Sequence, residues 1–275
     1  MNKRTFLGIA IGAALFLGLG GGAYAEDILA KVKAAGTMKV GTETEFAPFD
    51  FIDAGAHVGL NVDLFAEIGK ELGVKVEWVT LPWYGVLPGL EAGKFDMVAG
   101  PATITKARVE HYRFSPPIAE ATVALLKRKG DASVMKPEDI GGKIVGAGKA
   151  TAQLAQLKEF GDKLPGKIDA REYVGFNEAY ADLAAGRIVA VGNSLPNIAF
   201  VASQRPDTFE VVKPPFGVKS YFGYLGRKDA DYASLNAAVG AAIIKMKSDG
   251  RLAAMQKKWF GDSFETPDAV PAPAF

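Results

Sequence analysis

Leu90-Glu91-Ala92-Gly93-Lys94-Phe95 reappears, starting at residue 183, as Leu183-Ala184-Ala185-Gly186-Arg187-Ile188. In both copies a Gly stands just past a helical segment, where a left-handed residue is cheapest, and a basic residue leads into a strand. The same order of elements reads outward from each copy, short apolar runs alternating with helical periods. Around the first, Met38–Thr42 is predicted as strand, Asn61–Leu72 as helix, Val74–Thr80 as strand, Tyr84–Ala92 as helix and Phe95–Ala99 as strand. Around the second, Lys143–Ala147 is strand, Thr151–Phe160 helix, Ile168–Val174 strand, Asn177–Ala185 helix and Ile188–Val191 strand. Two βαβαβ series predict two similar lobes, each with a parallel sheet.

The C-terminal stretch starts no third unit. Tyr221–Arg227 reads as a strand, and Asp231–Lys247 as a helix with Leu235, Val239, Ala242 and Met246 on one face. Gly250–Phe260 reads as a further short helix, and Pro267, Pro271 and Pro273 mark a loose tail. This stretch is expected back on the first lobe, so that connections near residues 120–126 and 216–222 form a hinge. Ligands of open α/β sheets bind outside the carboxyl ends of the strands. Two facing lobes put both such edges around one cleft.

Composition narrows the function. The 275 residues carry 32 Lys+Arg against 31 Asp+Glu, too balanced for the concentrated basic field that nucleic acid demands. Zero Cys excludes disulfides, thiolate metal sites and thiol nucleophiles, and His57 and His111 are too few for a multi-histidine metal site. At the start, Asn2-Lys3-Arg4, an apolar run from Phe6 to Leu19 and Ala23-Tyr24-Ala25 form the three parts of a secretory signal peptide over residues 1–25. A cleaved leader and a Cys-free chain point to a protein free in a bacterial periplasm.

The loops after the strands hold the candidate site. Glu43-Thr44-Glu45-Phe46-Ala47-Pro48-Phe49-Asp50-Phe51 follows the first strand; Phe49 and Phe51 read as core, and Phe46 as free to face the cleft. Leu81-Pro82-Trp83-Tyr84 opens a helix, with Trp83 either a buried anchor or a stacking wall. After the third strand, Thr105 is a plausible N-cap that puts Arg108 one turn into a helix. On sequence alone Arg108 reads as a surface residue paired with Glu110, although an anion would relieve its clash with the helix dipole. Gly146-Ala147-Gly148-Lys149-Ala150-Thr151 is neither a phosphate loop, since Ala150 follows the Lys, nor a dinucleotide fingerprint, since Thr151 holds the third glycine position. A modest anion site at a helix start remains. Gly192-Asn193-Ser194-Leu195-Pro196 fails the nucleophile-elbow pattern at Pro196, leaving Ser194 as a cap.

In order along the chain, these residues resemble a family. Gly36–Thr42 leading to Phe46-Ala47-Pro48-Phe49, Val58–Leu64, Leu87-Pro88-Gly89-Leu90, Thr103-Ile104-Thr105 with Arg108, and Phe114-Ser115-Pro116-Pro117 carry the likeness. Lys247-Ser248-Asp249-Gly250 and Lys257-Lys258-Trp259-Phe260-Gly261 resemble its ending. The family is that of periplasmic solute-binding proteins of polar amino acid ABC transporters, the bacterial extracellular solute-binding proteins of family 3. The resemblance implies an α/β, type II periplasmic binding protein fold: two parallel-sheet lobes joined by a two-segment hinge. The expected division is 26–121 and 222–275 for lobe 1 and 122–221 for lobe 2.

The same resemblance implies a site. Phe46 would cover the ligand and Trp83 line its side-chain pocket, while Gly100 and Thr103 offer backbone and hydroxyl groups. Arg108 would clamp an α-carboxylate, helped by amides of Ala150, Thr151 and Ala152, and Glu43 would face a basic side chain. The family's ammonium-binding aspartate falls at Ser194, beside Asn193, so Glu43 or Glu178 must replace it or the ligand's nitrogen is absent, elsewhere or alkylated. The implied protein is a monomeric carrier of an amino acid or related carboxylate to an inner-membrane ABC permease. It needs no cofactor, no metal and no catalytic residue. The alternative is an enzyme on the same fold, such as a cyclohexadienyl dehydratase.

Overall fold

The computed structural model describes residues 27–275, and the leader read at 1–25 lies outside the described residues. Helix α1 (Ile28–Ala35) and strand β1 (Thr37–Thr42) lead into three short strands, β2 (Glu45–Phe46), β3 (Asp50–Asp53) and β4 (Ala56–Val58). Then come α2 (Leu60–Leu72), β5 (Lys75–Thr80), α3 (Trp83–Glu91), β6 (Met97–Thr103), α4 (Lys106–His111), β7 (Tyr112–Phe114) and β8 (Ala119–Glu120). The second series is β9 (Val123–Arg128), β10 (Ile144–Gly148), α5 (Ala152–Asp162), β11 (Asp169–Tyr173), α6 (Phe176–Ala184), β12 (Ala190–Ser194), α7 (Leu195–Gln204) and β13 (Phe209–Val212). The chain ends with β14 (Tyr221–Arg227), α8 (Ala233–Ser248) and α9 (Arg251–Phe260).

Two sheets of one plan result. The first runs β5-β1-β6-β14-β7, and the second β11-β10-β12-β9-β13. In each, the strands of the repeat lie parallel: β1 between β5 and β6, and β10 between β11 and β12. The two-lobe α/β plan is therefore present, with one correction. The sheets are mixed, because β14 joins β6 antiparallel and β9 joins β12 antiparallel. Both added strands belong to the segments that pass between the sheets, and they return in the opposite sense.

That pairing moves two boundaries. The strands expected at Phe95–Ala99 and Ile188–Val191 run on to Thr103 and Ser194, since β14 supplies partners at Ala102 and Thr103 and β9 at Asn193 and Ser194. Gly100, Thr103, Asn193 and Ser194 thus sit on strands, not in loops.

Burial explains the rest. On α2, Leu60, Leu64, Phe65, Ile68 and Leu72 follow helical spacing and are all buried, and Gly73 ends the helix at φ 72°. On α8 the expected face, Leu235, Val239, Ala242 and Met246, is buried. Phe49 is core, as expected. Phe51 is only partly buried, because it sits on the small sheet and packs against Phe200 and Trp259 with ring centroids 5.8 and 5.7 Å away. Among the described residues no helix is long and apolar enough to cross a membrane.

The small β2-β3-β4 sheet docks through Gly59, which has φ 139° and would place a Cβ 2.0 Å from the Phe49 carbonyl oxygen. Both the positive φ and the approach require Gly. Gly59→Ala is expected to destabilise the fold by about 2 kcal/mol or more, lowering Tm by several degrees in calorimetry. An unchanged Tm would contradict this close packing.

Candidate functional site

The carboxyl ends of the parallel strands meet between the sheets. Glu43, Thr44 and Glu45 follow β1, Leu81 and Pro82 follow β5, and Val174 and Gly175 follow β11. With Thr80 they line one cavity of about 200 Å³. Three contacts hold the lobes together over it. The Trp83 indole Nε1 donates to the Ala150 carbonyl at 3.2 Å, and Asn197 Nδ2 donates to the Ala47 carbonyl at 2.7 Å. The rings of Phe46 and Phe176 lie 5.7 Å apart. This is a closed arrangement.

Arg108 is placed by its own helix. Thr105 caps α4 as the sequence suggested, its hydroxyl accepting the Arg108 N–H at 3.2 Å. The guanidinium Nη1 donates to the Thr103 carbonyl at 3.1 Å, and Cζ lies 5.3 Å from the Trp83 ring centroid. Gly100 lets that ring lie over β6, since a Cβ there would come within 3.3 Å of it. Burial pushes the Arg108 pKa down to about 10, so it is charged at neutral pH. The pairing with Glu110 is not formed, and among the described residues no carboxylate pairs with Arg108. A partly desolvated guanidinium held by a carbonyl and an aromatic face retains its preference for a carboxylate.

Across the cleft, Thr151 caps α5: its hydroxyl accepts from Leu154 N at 3.1 Å and donates to the Gly148 carbonyl at 2.7 Å. The first amides of α5, at Ala152 and Gln153, carry the unsatisfied donors that any helix start presents. Ala150 adopts φ 60°, a conformation that costs a non-glycine residue about 1 kcal/mol or more. That turn aims its carbonyl at Trp83, which is buried.

Glu43 is 7% exposed, and no group among the described residues bonds to its carboxylate. Burial, with Asp50 and Glu45 adding repulsion, pushes its pKa up to about 8. Asp50 is fully buried but satisfied: His57 Nε2 lies at 2.9 Å, and the Asn61 amide bonds the other oxygen. Phe46 is buried at the lobe seam, 5.8 Å from both Phe49 and Phe222. Asn193 and Ser194 have their polar groups occupied. Asn193 Nδ2 donates to the Tyr180 hydroxyl at 3.0 Å, the Ser194 amide donates to Asn193 Oδ1 at 2.7 Å, and the Ser194 hydroxyl bonds Asn197. Glu178 is exposed, whereas Glu43 and the Oε2 of Glu45 are buried at the cleft. Sequence reasoning passed over Glu45, Gly175 and Asn197. Only the double acid in Glu43-Thr44-Glu45 offered a signal.

Comparison with known proteins adds a second line of observation. The model of the bacterial extracellular solute-binding proteins, family 3, matches residues 38–262. The L-cystine-binding protein TcyJ of Escherichia coli K12 is 31% identical, covering 95% of this chain and 96% of the relative. The lysine/arginine/ornithine-binding periplasmic protein of the same strain is 30% identical over 82% of this chain and 87% of its own. An ancestral arginine-binding protein bound to arginine is 34% identical with a TM-score of 0.76, covering 82% of this chain and 99% of that one. The ancestral amino acid-binding protein AncCDT-1, a precursor of cyclohexadienyl dehydratase, is 32% identical with a TM-score of 0.77, covering 85% and 99%.

The raised Glu43 pKa has a sign that calorimetry can read. Folded Glu43 keeps its proton to about 8, whereas the unfolded group loses it near 4.5. Between those values the folded state binds more protons, so stability falls as pH rises through that window. Glu43→Gln removes the penalty. Its Tm advantage over the wild type is expected to grow by several degrees from pH 5 to pH 8.5, and a pH-independent difference would contradict the buried, unpaired carboxylate.

Proposed function

We propose a ligand class and a transport role on the premise that the chain belongs to the bacterial extracellular solute-binding proteins, family 3. It is a substrate-binding protein of the amino-acid ABC transporter type. We infer that its ligand is an amino acid or amino-acid-like carboxylate, enclosed between the lobes. The observation that carries this is Arg108, a charged guanidinium without a carboxylate, stacked on the same Trp83 that bonds the start of the opposite lobe's helix α5. A ligand carboxylate there joins Arg108 to the amides of Ala152 and Gln153, a charge-assisted bridge between lobes. Glu43 is the cation partner, and Trp83, Gly100, Thr103, Ala150 and Thr151 shape the wall. Asn193 and Ser194 support the seam through Asn197.

On this reading residues 1–25 are a cleaved signal peptide, and the carrier works as a monomer in the periplasm and delivers its ligand to an inner-membrane permease. Lobe 1 comprises 26–121 and 222–275, and lobe 2 comprises 122–221. The protein does no chemistry; turnover of prephenate or arogenate would favour the dehydratase reading instead. A thermal-shift panel of amino acids, N-methylated and decarboxylated relatives, opines and organic acids tests the ligand class. Ligand at about 100 times its Kd adds roughly 2.7 kcal/mol, several degrees of Tm for a chain of this size. No shift from any carboxylate would reject the proposal.

Arg108→Ala is expected to weaken binding of the best panel ligand by about 2–5 kcal/mol, the range for removing one partner of a desolvated charge pair. Wild-type affinity in calorimetry, with the variant folded, would remove Arg108 from the site. Saturating ligand is also expected to lower the radius of gyration of the wild type in small-angle scattering. An unchanged profile despite binding would contradict closure.

A further inference from the structure

Helix α4 carries Arg108, yet it is short and has no apolar anchor. None of its residues is buried, so packing does not fix it against the sheet. Polar ties hold it instead. At its carboxyl end, Lys228 Nζ donates to the carbonyls of Val109 and Glu110 at 3.0 and 3.1 Å. At its start, Thr105 caps the Arg108 N–H, and the N–H of Lys106, the first helical residue, donates to the Phe275 carbonyl at 2.8 Å.

That last partner comes from the far end of the sequence. Residues 263–275 lie past the family match, which ends at 262. The tail that Pro267, Pro271 and Pro273 suggest is loose is tied down along its length. The Phe264 ring lies 5.5 Å from that of Phe260, and the Phe264 N–H donates to Gln256 Oε1 at 3.1 Å. Gln256 is 1% exposed, and its Nε2 donates to the Ile118 carbonyl at 3.0 Å. The Thr266 hydroxyl donates to the Pro117 carbonyl at 2.9 Å, and the Lys247 ammonium donates to the carbonyls of Thr266 and Pro267. Further on, Pro271, Pro273 and Phe275 are partly buried while Ala272 and Ala274 between them are exposed, the alternation of an extended strip lying on a surface. Each proline fixes φ, so holding this strip extended costs less entropy.

We propose that residues 263–275 form a strap that positions helix α4, and with it Arg108, for the ligand carboxylate. The strap acts through the backbone N–H of Lys106, not by touching the ligand. A guanidinium and a carboxylate pair by direction as well as distance, so a helix free to shift at its start loses part of the pair. This inference rests on the reading of Arg108 as the carboxylate clamp.

Proline at the first helical position removes an N–H that no helical carbonyl could use. Thr105, with φ −119° and ψ 158°, already has the extended conformation that a following proline requires. Lys106→Pro therefore frees the strap while keeping the helix, and Lys106→Ala, which retains the N–H, is its control. In the whole chain without ligand, hydrogen exchange at the Arg108 and Val109 amides is expected to quicken about fivefold or more in Lys106→Pro relative to Lys106→Ala. Thr266→Val, which cuts the tie to Pro117, is expected to move them in the same direction. Calorimetry then uses L-arginine, L-glutamine and L-cystine, and the one held most tightly by the wild type is carried through the variants. Lys106→Pro is expected to weaken it about fivefold or more relative to Lys106→Ala, and by less than about twofold in an Arg108→Ala background. A merely structural loss would weaken both backgrounds alike.

Equal exchange in Lys106→Pro and Lys106→Ala overturns the strap, whether or not a probe binds. Faster exchange with unchanged affinity, or equal losses in both backgrounds, overturns the positioning of Arg108 and leaves the carboxylate reading standing. Failure of all three probes to bind the wild type overturns the amino-acid reading and the positioning role with it, while exchange still decides the hold of the strap on α4.

Discussion

The chain passes between the two sheets twice, and the two passages run side by side. The Ala121 amide donates to the Ser220 carbonyl at 2.8 Å, and β8 pairs with β14 at Glu120 and Tyr221. On the far side, β9 enters the second sheet against Ser194 at Val123. The same strands extend β6 and β12, which fixes where Gly100, Thr103, Asn193 and Ser194 lie. The connection between the sheets and the ends of β6 and β12 are one construction.

Electrostatics then makes closure conditional. Arg108 and Glu43 are both withdrawn from water, and neither has an opposite charge beside it. The pKa values move as desolvation requires, the arginine down and the acid up, each toward its neutral form. Asp50 shows the contrast: equally buried, it is held by His57 and Asn61, and Asn61 in turn accepts the Tyr224 hydroxyl at 2.7 Å. The network around Asp50 is satisfied, while Arg108 and Glu43 have no opposite charge beside them.

Much of this was legible in the sequence. The Leu90 and Leu183 segments announced two lobes, and helical spacing on α2 and α8 located their buried faces. Thr105 was readable as a cap because a hydroxyl before a helix has a local partner. What local pattern could not supply was pairing between distant strands. The length of β6 depends on β14, and that of β12 on β9, so both boundaries ran past their apolar cores. Contacts across the cleft were hidden for the same reason. Nothing near Glu45 points to Gly175, and nothing near Trp83 points to Ala150.

Ser194 shows how a single position changes meaning once its neighbours are known. As a residue type it lacks the charge expected of an ammonium partner, which opened the question of what replaces that charge. In the fold its hydroxyl bonds Asn197, and Asn197 Nδ2 reaches the Ala47 carbonyl of the first lobe at 2.7 Å. The position therefore ties the lobes together with neutral groups. An aspartate there would bring a buried negative charge into the same second-lobe cluster as Asn193 and Tyr180, whose own pKa is already raised by burial and by Glu43. With Glu43 this close and the loop at Glu45 crossing to Gly175, negative charge at the cleft sits on the first lobe alone. The second lobe contributes helix-start amides and neutral dipoles. Acidic charge is thus concentrated on the lobe that carries Arg108, while the opposing lobe brings the Lys149 ammonium over the Tyr84 ring.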